Sequence, residues 1–141
     1  MKRYLDTSVV VSFFIREVHT AAVRDWLMQD IKADNIISEW TITEFHSALS
    51  LKLRTGQISS EIKLEAEEFL GQSLKTIFKV ISVSSIDFAR AAELASKPEL
   101  WLRAGDALNL AIAEREGAIL STVDKRLFAA AGQVGIDAHM P

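Results

Sequence analysis

The sequence predicts an α/β protein, a three-layer α/β/α sandwich around a mostly parallel central sheet of four to five strands. Two observations carry that reading. Short apolar, strand-like runs alternate with stretches of helical spacing from one end of the 141 residues to the other, the pattern of strands joined by right-handed helical crossovers. The chain is also 49% hydrophobic, enough for a continuous core, and it has no internal repeat, low-complexity run or linker.

Arg3 to Asp6 reads as the first strand, and Asp6-Thr7-Ser8 supplies cap chemistry for an apolar helix from Val9 to Ile15. A second helix over His19–Ile31 follows from Ala22, Val23, Trp26, Leu27 and Ile31. Asn35–Ser38 is the second strand, and the helix Glu39–Leu53 runs from it to a stop at Gly56. Ser59 and Ser60 cap a long amphipathic helix through Leu74, and Lys79–Val83 is the third strand. Ser84–Ala95 is helical. Lys97–Arg103, with Pro98, Trp101 and Leu102, is a loop packed against the body. It leads through Gly105-Asp106 into a helix over Ala107–Glu116 that is apolar on most faces and therefore central. Gly117 stops it, Ala118–Ser121 is the fourth strand, Val123–Ala131 a helix, and a last strand lies near Ile136.

At 15.6 kDa the expectation is one domain spanning residues 1–141. The longest apolar stretch, Val9 to Ile15, is interrupted by Ser12 and is too short for a membrane span. The N-terminus lacks a signal-peptide pattern, so a soluble, cytoplasmic protein is expected. With no cysteine there are no disulfides and no thiolate metal sites. The net charge of −3 looks unsuited to nucleic acid, but without Asp6, Glu44, Asp106 and Asp124 the balance is +1.

Each of those four acids sits where a strand is expected to end or a helix to begin, and in an open parallel sheet such positions converge outside the carboxyl ends of the strands. Four carboxylates in one crevice repel one another and resist desolvation unless a cation compensates them. A divalent metal site follows. With only carboxylates on offer it is hard and oxygen-rich, suiting Mg²⁺ or Mn²⁺.

Taken singly, each acid also has a structural explanation. Asp6 can cap its helix, Thr41-x-x-Glu44 and Ser121-x-x-Asp124 match the capping-box pattern, and Asp106 suits the positive end of its helix. Asp87, in Ser84-x-x-Asp87, is read as a cap alone. Thr7, Ser8 and Thr122 either cap or orient a carboxylate. Arg16, Lys52, Arg54, Arg103, Lys125 and Arg126 flank the crevice and either contact phosphates or face solvent. Trp40 and Trp101 are expected in the core rather than stacked on bases. His19, His46 and His139 form no ligand set. The second and fourth helices offer apolar faces either to the core or to a partner.

Leu5-Asp6-Thr7-Ser8, Thr43-Glu44-Phe45, Arg103-Ala104-Gly105-Asp106-Ala107-Leu108-Asn109 and Ser121-Thr122-Val123-Asp124-Lys125-Arg126 together resemble, in order and spacing, the PIN-domain ribonucleases, and most closely the VapC-type toxins of toxin–antitoxin pairs. The resemblance implies a Mg²⁺- or Mn²⁺-dependent endoribonuclease that hydrolyses RNA with a metal-activated water. It also implies a homodimer, held inactive by a cognate antitoxin. By matching position, Asp6, Glu44 and Asp106 would be metal ligands, Asp124 would complete the cluster, and Thr122 would support it. Asn109 departs from the family, many of whose members have a histidine there. Two alternatives stand beside this reading: a receiver-like or aspartyl-phosphate phosphotransfer domain, and a catalytically inactive PIN-like binding module.

Overall fold

A computed structural model describes every residue from Met1 to Pro141. Five strands and seven helices follow one another as β1 (Lys2–Leu5), α1 (Thr7–Phe14), α2 (Thr20–Gln29), β2 (Asp34–Ser38), α3 (Glu39–Arg54), α4 (Ser60–Ser73), β3 (Lys79–Ile81), α5 (Ser85–Ala95), α6 (Ala104–Glu116), β4 (Ile119–Ser121), α7 (Lys125–Gln133) and β5 (Ala138–His139), with a 3-10 turn over Pro98–Leu100. This is the predicted order. All four strand pairings are parallel, in the order β3-β2-β1-β4-β5.

The sheet has two apolar faces because neighbouring residues of a strand point to opposite sides. Tyr4, Ile36 and Leu120 join one core with Leu94, Leu110, Ile112 and Leu127 of α5, α6 and α7. Leu5 and Ile37 join the other with residues of α1 to α4, among them Val9, Val23, Phe45 and Leu70. Burial on both faces explains why the strands read as apolar runs rather than alternating ones.

Helix α6 is the central helix the sequence suggests, since every residue from Ala107 to Ala113 is buried. It starts three residues earlier than expected, so Asp106 lies within its first turn. At its far end Gly117 takes φ 60°, the left-handed conformation that closes a helix.

The Ser84/Asp87 capping box forms as expected. Asp87 does more than cap, because its buried side chain also receives Arg115 at 2.6 and 2.9 Å, tying α5 to α6. Burial pushes the Asp87 carboxyl up, but the hydrogen bonds from Arg115 and from the Ser84 backbone outweigh it and hold the group below its ordinary value. Arg115→Met should therefore cost more than a surface ion pair, about 2 kcal/mol or more, by leaving that carboxylate uncompensated. Urea denaturation checks this.

The other two expected capping boxes do not form. Helix α3 is capped by Ser38 with Thr41, leaving Glu44 free of that duty. Asp124 is itself the cap of α7, accepting from the Arg126 and Leu127 amides, while Ser121 Oγ is buried without a partner. No helix is long and apolar enough to cross a membrane.

Candidate metal centre

Strand order reverses direction between β1 and β4, and ligands of open parallel sheets bind beside such a switch, past the carboxyl ends of the strands. Asp6 follows β1 directly, and its backbone N–H donates to Ser121 O of β4 at 3.1 Å. Asp6 is 3% exposed. It caps α1 through the Val9 amide at 3.2 Å, and it accepts from Ser8 Oγ at 2.6 Å and Thr122 Oγ1 at 2.7 Å. The hydroxyls are fixed in turn. Ser8 Oγ accepts from the Val123 amide at 3.1 Å, and Thr122 Oγ1 from the Asp124 amide at 3.0 Å.

Glu44 comes from α3 and is half-buried. One of its oxygens accepts from Thr7 Oγ1 at 2.7 Å and from Asn109 Nδ2 at 2.8 Å. Asn109, 1% exposed, also accepts from Tyr4 OH at 2.7 Å, and that hydroxyl reaches Ser38 Oγ at 2.8 Å. Tyr4 and Asn109 thus anchor Glu44 to the sheet. Sequence singled out Asn109 only as a departure from the family and missed Tyr4, which reads as an ordinary strand aromatic. Replacing Asn109 with Ala should loosen Glu44 and weaken Mn²⁺ affinity about 10- to 100-fold, the usual effect of losing a group that orients a ligand. Titration calorimetry checks it.

Gly105 sits where the first turn of α6 meets the Glu44 side chain. A Cβ on Gly105 would meet the second oxygen of Glu44 at 2.7 Å and the Trp40 ring at 3.4 Å, so the main chain beside Asp106 lies against Glu44. Asp106 and Asp124 line one pocket of about 310 Å³. The largest cavity, about 550 Å³ beside Arg3, Trp26 and His139, contains none of the four acids.

The carboxylates feel one another. Burial raises Asp6 to about 6 against the pull of its hydroxyl and amide donors, and the charge on Asp106 adds to the rise. Asp106 is also raised to about 6, first by burial, then by Asp124 and Glu44, with Arg103 opposing. As placed, no three acidic or histidine side chains close on a single ion position. Glu44 Oε1 and both Asp6 oxygens are engaged in hydrogen bonds, whereas Asp106 makes none. The donor chemistry fits a hard cation: oxygen ligands only, in mutually repelling, partly desolvated positions that a positive charge would relieve.

Of the other residues weighed in the sequence, His46 pairs with Glu67, His139 stacks on Trp26 and His19 begins α2. Lys52 pairs with Glu17. Trp40 packs against the α6 core, but Trp101 does not, being 76% exposed. Its neighbours Leu100 and Leu102 take the inward positions instead.

The PIN domain family matches residues 3–133. The chain is a member of the PIN domain family. Among solved structures, VapBC2 from Rickettsia felis, bound to a DNA fragment from its promoter, aligns over 99% of this chain and 98% of that one with a TM-score of 0.75 and 19% identity. FitAcB from Neisseria gonorrhoeae aligns over 96% and 95% with a TM-score of 0.73 and 22% identity. VapC20 from Mycobacterium tuberculosis, a Sarcin-Ricin loop cleaving toxin, aligns over 91% and 94% with a TM-score of 0.68 and 20% identity. At these identities the likeness is one of fold. No protein of curated function matches the sequence significantly. The PIN sheet order also differs from the 2-1-3-4-5 order of receiver domains, which removes the receiver-like alternative.

Proposed function

We propose that this PIN domain, taken as one unit over residues 1–141, is a divalent-metal-dependent endoribonuclease and the toxin of a toxin–antitoxin pair. The observation that supports the reading is electrostatic: at the strand-order switch Asp106 feels the charges of Asp124 and Glu44, Asp6 feels that of Asp106, and Asp6 and Asp106 are both raised to about 6, first by burial. Asp6, Glu44, Asp106 and Asp124 would hold Mg²⁺ or Mn²⁺. Bound there, the cation supplies an activated water and charge stabilisation at the RNA phosphodiester.

The chain's own residues fix the carboxylates. Ser8 and Thr122 set both oxygens of Asp6, Thr7 and Asn109 set one oxygen of Glu44, and Asp124 is fixed by the α7 amides. Asp106, without such bonds, is the carboxylate freest to adjust to an ion. No side-chain nucleophile is needed.

The partners are RNA, a cognate antitoxin and a second copy of the chain. The toxin–antitoxin complex from Klebsiella pneumoniae, which shares this fold, supports the antitoxin, and VapC20, a Sarcin-Ricin loop cleaving toxin, supports an RNA substrate. Exposed Ile62, Leu64 and Phe69 on α4 and Met28 on α2 offer apolar partner surface.

The test is incubation of structured RNAs with the antitoxin-free protein in Mg²⁺, Mn²⁺ or EDTA, beside an Asp6→Asn, Asp106→Asn double variant. Cuts that need the metal and vanish in the folded double variant are expected. Cutting that survives in the variant would remove these acids from the reaction, and metal binding without any cutting would favour the inactive binding module.

A further inference from the structure

Trp101 is explained neither by folding nor by the metal centre. Its indole is 76% exposed, although large aromatic side chains ordinarily bury most of their surface. Its backbone is the chain's one non-glycine residue at positive φ, with φ 54° and ψ 32°. Glycine would take that conformation without strain, so the turn does not call for a tryptophan. The segment is firmly seated nonetheless. Leu100 is 4% exposed in the α5–α6–α7 core, Leu102 packs against the same core, and the Trp101 N–H closes the 3-10 turn on Pro98 O at 3.2 Å. A rigid mount therefore holds a flat aromatic ring out in water.

The surroundings indicate what the ring meets. Trp101 lines the pocket of about 310 Å³ that contains Asp106 and Asp124, together with Arg103, Lys125 and Arg126. All three cations are exposed, and none is in a salt bridge, although the chain forms eight elsewhere. Unpaired cations beside an aromatic face are the elements of single-stranded nucleic-acid binding, in which phosphates follow the charge and a base stacks on the ring. A protein partner would find a poor apolar surface here, since five of the seven lining residues are charged.

We propose that Trp101 is the stacking platform for an unpaired RNA base next to the scissile phosphate, with Arg103, Lys125 and Arg126 holding the adjoining phosphates. This rests on the nuclease reading, which makes Asp106 and Asp124 the place where the phosphodiester is cut. A substrate with its target bases already unpaired, such as a loop or a single strand, is implied, because a base within a duplex presents no free face.

Binding can be read without cleavage. Wild type, Trp101→Ala and Trp101→Phe are titrated in EDTA with a fluorescein-labelled single-stranded RNA and with copies carrying one abasic position at each site in turn. Trp101→Ala should bind the intact RNA about 5- to 100-fold more weakly, and Trp101→Phe within a few-fold of wild type. One abasic position should weaken wild type but leave Trp101→Ala unchanged, a coupling that a purely structural role would not produce. Equal binding by wild type and Trp101→Ala overturns the proposal. So does a change from dimer to monomer in Trp101→Ala on sedimentation, which would assign the surface to a second copy. RNA cut in Mn²⁺ equally well by wild type and Trp101→Ala would remove the platform and leave the nuclease standing. Coupled binding with no cutting in any metal would leave the platform standing and remove the nuclease.

Discussion

Asp6→Asn should act in opposite directions on the metal-free and metal-loaded protein. Without metal at pH 8 the variant is expected to melt at a higher temperature than wild type, because a carboxylate held at 3% exposure, with its pKa raised to about 6, carries an uncompensated charge. Asparagine keeps the helix-capping oxygen that Val9 requires. Its amide group cannot replace the second carboxylate oxygen as the acceptor for Thr122, and that loss partly offsets the gain. With Mn²⁺ the order should reverse. Wild type gains stability through ion binding while the variant does not, and RNA cleavage should fall by on the order of 100-fold or more, beyond the usual effect of losing a group that merely orients a ligand. Melting curves in EDTA and Mn²⁺ separate these effects. A variant that is no more stable in EDTA, yet responds fully to Mn²⁺, would remove Asp6 from the site.

The pH dependence has an equally large expected effect. Asp6 and Asp106 lie near 6 in the folded chain and near the ordinary 3.8 when unfolded. As pH falls through 6 the folded state takes up protons that the unfolded state does not yet bind. Metal-free stability should therefore rise between about pH 7 and pH 4 from these two groups. Below that window Asp87 and Glu67, whose values are lowered in the fold, lose their ion pairs on protonation and stability falls again. A cation requires the ionised carboxylates, so the stabilisation by Mn²⁺ should grow as pH rises through 6. Denaturation midpoints over this range, with Mn²⁺ and with EDTA, should diverge toward high pH. Parallel curves would contradict the electrostatic account of the site.

Much of the fold was legible because its signals are local. Ser59 caps α4, Gly117 stops α6, and the apolar run through Ala107–Ala113 marks the central helix. The acids stood out in the sequence because a parallel sheet sends every strand's carboxyl end to one edge, and each of them lies near such an end or in the first turns of a helix. What escaped depends on pairs of residues far apart. Thr41 and Glu44 have capping-box spacing, but Ser38 takes Thr41, while Thr7 and Asn109 claim Glu44 from other elements. Helix α6 begins at Ala104 and carries Gly105 in its first turn, where a Cβ would press on the Glu44 carboxylate, a fit between two elements that no local pattern records. Trp101 looked like core from its type, but Leu100 and Leu102 on either side take the inward positions, and the left-handed backbone turns it outward. No periodicity records that turn.

On the proposed reading Asp6, Glu44, Asp106 and Asp124 form one divalent-cation site. Calorimetric titration of Mn²⁺ into the purified chain at pH 7.5, beside the folded Asp6→Asn, Asp106→Asn double variant, tests it most directly. Saturable binding to wild type that is abolished in the double variant is the predicted result. Binding of equal strength to both proteins, or to neither, would contradict it.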